Sequence, residues 1–185
     1  MHNRKITLSV AALLTIVVAC KKDSTTAPVT TTTTTTTTTN TGPVNNNITF
    51  TATMTGAKEN PANTSTGTGT FTATLDTVTN IFTYDITFTG LTSAVNNGHI
   101  HGPAASATVN AGTTINFNTW PGANFSFGAT QGTAHGLALL TAGTQITATI
   151  NGDSLKKLLL AGQAYANIHT TQNAGGEIRG TITKQ

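Results

Sequence analysis

The run Ile81-Phe82-Thr83-Tyr84-Asp85-Ile86-Thr87-Phe88-Thr89 alternates between bulky apolar and small polar side chains along its length. Successive side chains of an extended strand point to opposite faces. Phe82, Tyr84, Ile86 and Phe88 therefore share one face, and Thr83, Asp85, Thr87 and Thr89 share the other. A helical repeat would scatter both sets around a cylinder, so this stretch reads as a half-buried strand. The same period of two recurs on either side. Phe50, Ala52 and Met54 alternate with Thr49, Thr51, Thr53 and Thr55, and Phe71, Ala73 and Leu75 with Thr70, Thr72 and Thr74. Further on, Ile146, Ala148 and Ile150 alternate with Thr147 and Thr149, which predicts another strand. Turn formers punctuate the runs at Gly56, Asn60-Pro61, residues 76–80, Gly90 and Asn96-Asn97-Gly98. Short strands with frequent turns predict an all-β fold, an antiparallel β-sandwich. One segment departs from the pattern. Leu155, Leu158 and Leu159 recur at helical spacing, which predicts one short helix near 153–161, capped by Asp153 or Ser154 and closed by Gly162. Residues 113–142, around Trp120-Pro121-Gly122, read as a longer irregular insertion with His135 in an exposed loop.

The alternating pattern is confined to residues 47–185, enough chain for one domain with a sizeable core. What precedes it divides into two parts. Residues 1–19 begin with Arg4 and Lys5 and continue as an apolar run from Ile6 to Ala19, too short to span a bilayer comfortably and laid out like a secretory signal peptide. The run ends in Val17-Val18-Ala19-Cys20, which resembles the lipobox of bacterial lipoproteins. That resemblance implies cleavage before Cys20 and acylation of its thiol by chains such as palmitate. Each buried CH₂ of such chains contributes about 0.8 kcal/mol to holding a soluble domain at a membrane. Residues 20–46 then form a threonine-rich linker, with an unbroken threonine run at 30–39. Such a stretch buries too little to offset its ordering entropy and is expected to be a disordered N-terminal tether. Extended, it reaches roughly 80 Å at about 3.3 Å per residue. The expected location is the cell envelope, at the outer membrane or cell surface, with the membrane as a partner through the lipid anchor.

The formal charge of +3 belongs to the N-terminal region. Within 47–185, Lys58, Lys156, Lys157, Arg179 and Lys184 are balanced by Glu59, Asp76, Asp85, Asp153 and Glu177. A neutral domain without a basic stripe excludes nucleic acid as a partner on electrostatic grounds. Cys20 is the one cysteine, so the domain folds without an intramolecular disulfide. The carboxylates are scattered, and neither a Gly-x-Ser-x-Gly elbow nor a phosphate loop is present. No enzyme activity is expected.

Two stretches carry the chemistry that remains. One is His99-Ile100-His101-Gly102-Pro103-Ala104. The other is residues 158–182, which contain Asn167-Ile168-His169 and Gly176-Glu177-Ile178-Arg179-Gly180 and read as two strands joined by a short Asn/Gly turn. Together they resemble the CHRD domain, named after chordin, over about residues 47–185. The resemblance implies a β-sandwich, immunoglobulin-like with limited similarity to copper/zinc superoxide dismutases, and no established activity. Gly176, Glu177, Ile178, Arg179 and Gly180 match that family's most characteristic motif.

The residues themselves add a geometry. His99 and His101 share a face opposite Ile100. If Ile168, Ile178 and Ile182 face the core, then Asn167, His169, Glu177 and Arg179 lie on the outer polar surface. Pairing across the turn sets His169 opposite Glu177 and Asn167 opposite Arg179, close enough for a His169–carboxylate bond. Two functions follow. The first is a binding or structural module at the cell envelope, without a cofactor and with an unidentified protein or glycan ligand. The alternative is a divalent-metal protein that holds Cu or Zn through His99, His101 and His169, since imidazole suits both ions.

Overall fold

The structure, a computed structural model, describes residues 46–185. The expected signal peptide, Cys20 and the threonine run expected to act as a tether lie outside the described residues. The strands are β1 (Asn47–Thr55), β2 (Thr68–Asp76), β3 (Ile81–Thr89), β4 (Val95–His101), β5 (Thr113–Asn116), β6 (Asn124–Phe125), β7 (Gly132–Leu139), β8 (Tyr165–Thr170), β9 (Ile178–Thr181) and β10 (Thr183–Lys184). Among the described residues one α-helix, α1 (Gly152–Leu160), interrupts them, and a short 3₁₀ turn, Gly56–Lys58, follows β1. Every strand pairing is antiparallel. The order is β5-β4-β8-β9-β1-β2-β3-β7-β6, with β10 also on β1. The expected sandwich is thus made by one continuous sheet curled into a half-barrel. Its far ends meet across the core, where Phe117, just after β5, packs on Tyr84 of β3 at 5.3 Å and on Phe125 of β6 at 5.9 Å. Burying one apolar face of a twisted sheet requires such a closure.

The period-two register holds. Phe82, Tyr84, Ile86 and Phe88 are buried, Asp85, Thr87 and Thr89 are exposed, and Thr83 is half-buried. Large side chains meet small ones across the ladder: Phe82 pairs with Ala138, Ile86 with Ala134, and Tyr84 with Gly136. A Cβ at Gly136 would stand 2.3 Å from the Tyr84 hydroxyl, so the glycine makes room for the phenol.

Five expectations are corrected. Residues 146–150 do not form a strand. The Ile146 and Thr147 amides both donate to the Ile150 carbonyl, and the Thr147 hydroxyl accepts from the Thr149 and Ile150 amides. A threonine that satisfies its neighbours' backbone locally competes with a ladder and wins over so short a run. Asn96-Asn97-Gly98 is not a turn but part of β4, bulged between Val95 and Asn97. Gly98 is there because a Cβ would press on the Phe117 and Phe125 rings at 2.7 and 2.9 Å. Residues 113–142 are irregular only in part: turns surround Trp120-Pro121-Gly122 as expected, but the segment also contains β5, β6 and the eight-residue β7. His135 is exposed, but it sits on β7 with its Nδ1 2.7 Å from Asp85 on β3. The helix is as expected except at its start, where the Asn151 side chain accepts from the Ser154 amide at 2.9 Å. Asp153 instead pairs with Lys157 at 2.9 Å, one turn on. Leu155 and Leu159 seal the core, and Gly162, at φ +66°, ends the helix.

Candidate functional site

β8 lies between β4 and β9. His99 pairs with Asn167, His101 with Tyr165, and Asn167 in turn with Arg179, the last as expected. Ile100, Ile168 and Ile178 point into the core, so His99, His101, Asn167, His169 and Arg179 occupy the opposite face. That face is not the outer surface that period two alone predicts. The segments 56–66 and 103–112 roof it, tied down by side-chain bonds: Asn63 donates to the Gly176 and Glu177 carbonyls, Asn60 to Thr108, and Asn110 to Asn60. Asn167, Glu177 and Arg179 are fully buried in consequence, and His99 nearly so. The molecule carries a second, polar interior layer.

The three imidazoles meet in this layer. His99 Nδ1 lies 3.0 Å from His169 Nε2. The ring centroids stand 5.0 Å apart for His99 and His101, 4.8 Å for His99 and His169, and 6.1 Å for His101 and His169. Two of the rings are fixed by main-chain carbonyls, His101 Nδ1 by Ala111 and His169 Nδ1 by Ala174, each at 2.9 Å. A carbonyl only accepts, so both Nδ1 atoms carry the proton and both Nε2 atoms carry a lone pair. His169 Nε2 then accepts from His99 Nδ1. His101 Nε2 is buried and has no partner among the described residues. One ligand atom from each ring falls in a group no more than 4.8 Å across. Two tetrahedral ligands at about 2.0–2.1 Å from one zinc ion stand about 3.3–3.4 Å apart, so a pair at the 4.8 Å limit must close by about 1.5 Å to share the ion.

Burial sets the charge state. It pushes His99 down to about 3, helped by the neighbouring His169 and His101 rings, and His101 down to about 4. His169 is lowered by the same cause. All three are neutral near pH 7, the form that binds metals.

The characteristic motif supports this layer rather than joining it as a ligand. Glu177 does not bond His169, and it does not pair with Arg179. The ladder ends at the Ile168–Ile178 pair, and the Glu177 carboxylate turns inward to accept from the Ser65 hydroxyl, the Thr92 amide and hydroxyl, and the Thr170 hydroxyl at 2.6–2.9 Å. Arg179 donates to Asn110 Oδ1 at 2.7 Å, to the Val109 carbonyl at 3.0 Å and to the Ala107 carbonyl. Gly176 adopts φ +132°, and a Cβ there would meet the Asn167 amide at 2.5 Å and the Glu59 carboxylate at 2.7 Å. A Cβ at Gly180 would stand 2.5 Å from the Thr53 carbonyl.

Several participants gave no signal in the sequence. Glu59 is buried, accepts from Asn167 Nδ2 at 2.7 Å, and is pushed up to about 7 by burial, against the opposing pull of Arg179 and of its hydrogen bonds. Tyr165 stacks on His101, with the rings 4.8 Å apart and 10° from parallel. The Ala111 and Ala174 carbonyls are main-chain groups that every residue carries, so no residue type could have marked them. A cleft of about 540 Å³ lies beside the layer, bordered by Thr51, Thr53, Lys58, Glu59, Arg179 and Thr181 among others, and the imidazoles are not among its walls.

The family model of the CHRD domain matches residues 50–182. No curated protein and no solved structure matches the chain.

Proposed function

The chain belongs to the CHRD domain family, a family of β-rich, non-enzymatic modules, and from that premise we propose that it is a binding module whose ligand is a divalent transition-metal ion held by His99, His101 and His169. Of the two functions legible in the sequence, a binding or structural module with an unidentified protein or glycan ligand and a divalent-metal protein, the geometry favours the second. The observation that carries the reading is His101 Nε2, a buried lone pair with no partner, aimed into a cluster with two further imidazoles. A buried polar atom left unpaired costs about 1–3 kcal/mol, and an ion at this point removes that cost. The Ala111 and Ala174 carbonyls supply the outer hydrogen bonds that orient ligating imidazoles in metal sites. Zn and Cu are among the ions that suit an all-imidazole set. Binding requires one rearrangement: the His99 Nδ1 proton, which faces His169 Nε2, moves to His99 Nε2 and frees both facing nitrogens for the ion. Three protein ligands leave a fourth position for water or another donor.

We place the module outside the cytoplasm, held to the membrane through Cys20 and projected by the threonine tether. Arg4 and Lys5, the apolar run of residues 6–19 and the Val17-Val18-Ala19-Cys20 junction support that placement.

The direct test is titration calorimetry of chelator-treated protein with Zn²⁺ and with Cu²⁺. One ion bound per chain is expected, with binding lost in the His99→Ala/His101→Ala double variant. No binding, or binding that survives in that variant, overturns the reading and leaves the buried polar layer as a structural element alone.

A further inference from the structure

Arg179 is a buried cation without an ion pair among the described residues. A guanidinium withdrawn from water needs its donors satisfied, and a carboxylate is the usual partner. Here Glu177, two residues away, is fully engaged by Ser65, Thr92 and Thr170. Arg179 instead spends its two terminal nitrogens on three consecutive anchor points of one loop: the Ala107 carbonyl, the Val109 carbonyl and the Asn110 side chain. Its planar head also lies over the Tyr165 ring, 3.9 Å from the centroid.

Both arms of this grip end on the same imidazole. Ala111 follows directly on the anchored residues, and its carbonyl takes the His101 Nδ1 proton. Its amide donates to the Tyr165 hydroxyl at 3.2 Å, which closes the loop back onto the ring. Tyr165 is on the middle strand, with His101 beside it on β4 and Arg179 on β9, so the three planar groups form a stack with the tyrosine at its centre. One buried side chain therefore holds the acceptor that selects the His101 tautomer and the surface on which the His101 ring rests.

We propose that Arg179 is a positioning residue for His101, holding the 107–111 loop and the Tyr165 ring so that His101 presents Nε2 to the His99–His169 pair. The purpose assigned to this arrangement rests on the metal reading above. The arrangement gives the most characteristic motif of the chain a role: Arg179 governs His101 from outside the ligand set. Lysine cannot replace it, because a single ammonium has neither the fork that spans three acceptors nor the plane that stacks on tyrosine.

The test reads the apo protein and the metal separately. Long-range ¹H–¹⁵N correlation spectra of the histidine rings in the purified, metal-free protein report each tautomer. Zn²⁺ calorimetry reports affinity. In the wild type, His101 and His169 should both show the Nδ1–H form. In Arg179→Lys, His101 should shift toward Nε2–H while His169 stays, because the Ala174 carbonyl is held by a different turn. Zn²⁺ affinity should fall about 10–100-fold, the range for loss of an outer hydrogen-bonding partner. Two milder variants cover the case in which Arg179→Lys does not fold. Asn110→Ala removes one loop anchor at an exposed residue, and Tyr165→Phe removes the acceptor of the Ala111 amide. Each should produce the same selective His101 change with a smaller loss of affinity. Folded variants that all keep His101 in the Nδ1–H form overturn the proposal. A selective His101 shift in a protein whose wild type binds no Zn²⁺ upholds the positioning role and overturns the metal reading, so the two fail separately.

Discussion

Replacing Glu177 with alanine strands four hydrogen-bond donors in a place that water does not reach. The carboxylate is fully buried and accepts from Ser65 Oγ at 2.6 Å, Thr92 N at 2.6 Å, Thr92 Oγ1 at 2.9 Å and Thr170 Oγ1 at 2.6 Å. These bonds join β8 to the segments before β2 and before β4, so one side chain fastens three parts of the chain. Bonds to an ionised acceptor contribute about 1.5–3 kcal/mol each, and an orphaned buried donor costs about 1–3 kcal/mol. The three hydroxyls can rotate toward other acceptors, whereas the Thr92 amide cannot. Counting the amide in full and the hydroxyls in part gives about 3–5 kcal/mol for Glu177→Ala, a large share of the ~5–15 kcal/mol that stabilises a typical domain. Glu177→Gln keeps an acceptor for the Thr92 amide and offers donors to the threonine hydroxyls, so about 1–2 kcal/mol is expected. The pH dependence supplies a second reading. Burial pushes the Glu177 carboxyl up, but the four donors outweigh it and hold the group below the usual carboxylate range. A depressed carboxylate contributes stability above its unfolded value of about 4.3 and loses it as pH falls through the folded value. Urea denaturation at pH 7 and at pH 3 measures both effects, with the wild-type advantage over Glu177→Ala expected to shrink in acid. A Glu177→Ala protein within about 1 kcal/mol of wild type at pH 7, or a gap that does not narrow at pH 3, refutes the reasoning.

Glu59 acts in the opposite direction: its value is raised to about 7, so the stability linked to it is present below about pH 4.3 and is lost as pH rises through 7. Between pH 5 and pH 8 the wild type should lose up to about 3 kcal/mol relative to Glu59→Gln, and urea-derived stabilities that follow the same course with pH in the two proteins would contradict this. Gly180→Ala places a methyl 2.5 Å from the Thr53 carbonyl on a neighbouring strand, where the main chain cannot yield, and should cost about 1–3 kcal/mol or more by thermal denaturation. An unchanged melting temperature would show that β1 and β9 separate freely. Cys20→Ala should move the protein out of the membrane fraction, because only a thiol accepts the thioether-linked lipid. Mass spectrometry of the wild-type N-terminal peptide decides the point, and an unlipidated Cys20 refutes the anchor.

Much of the fold is written in local periodicity. The alternation at Phe82 to Phe88 fixes which side of β3 meets the core, because a pleated strand has only two faces and one must be dry. The spacing of Leu155, Leu158 and Leu159 fixes the helix. The same periodicity placed His99 and His101 on one face and set Asn167 opposite Arg179. β7 escaped notice because Gly132, Ala134, Gly136 and Ala138 form its inner face. Small residues there complement Tyr84 and Phe82 on β3, and such a face has no apolar bulk to alternate. Period two also names a face without saying what covers it. Only the tertiary structure decided that residues 56–66 and 103–112 close over the polar face, and that residues 70 positions apart become neighbours beneath it, such as the buried His99 and the half-buried His169. It likewise decided that the partners of His101 and His169 are the carbonyls of Ala111 and Ala174. Every residue carries a carbonyl, so which one meets an imidazole depends on where a loop returns in space, and that is set by packing over the whole chain.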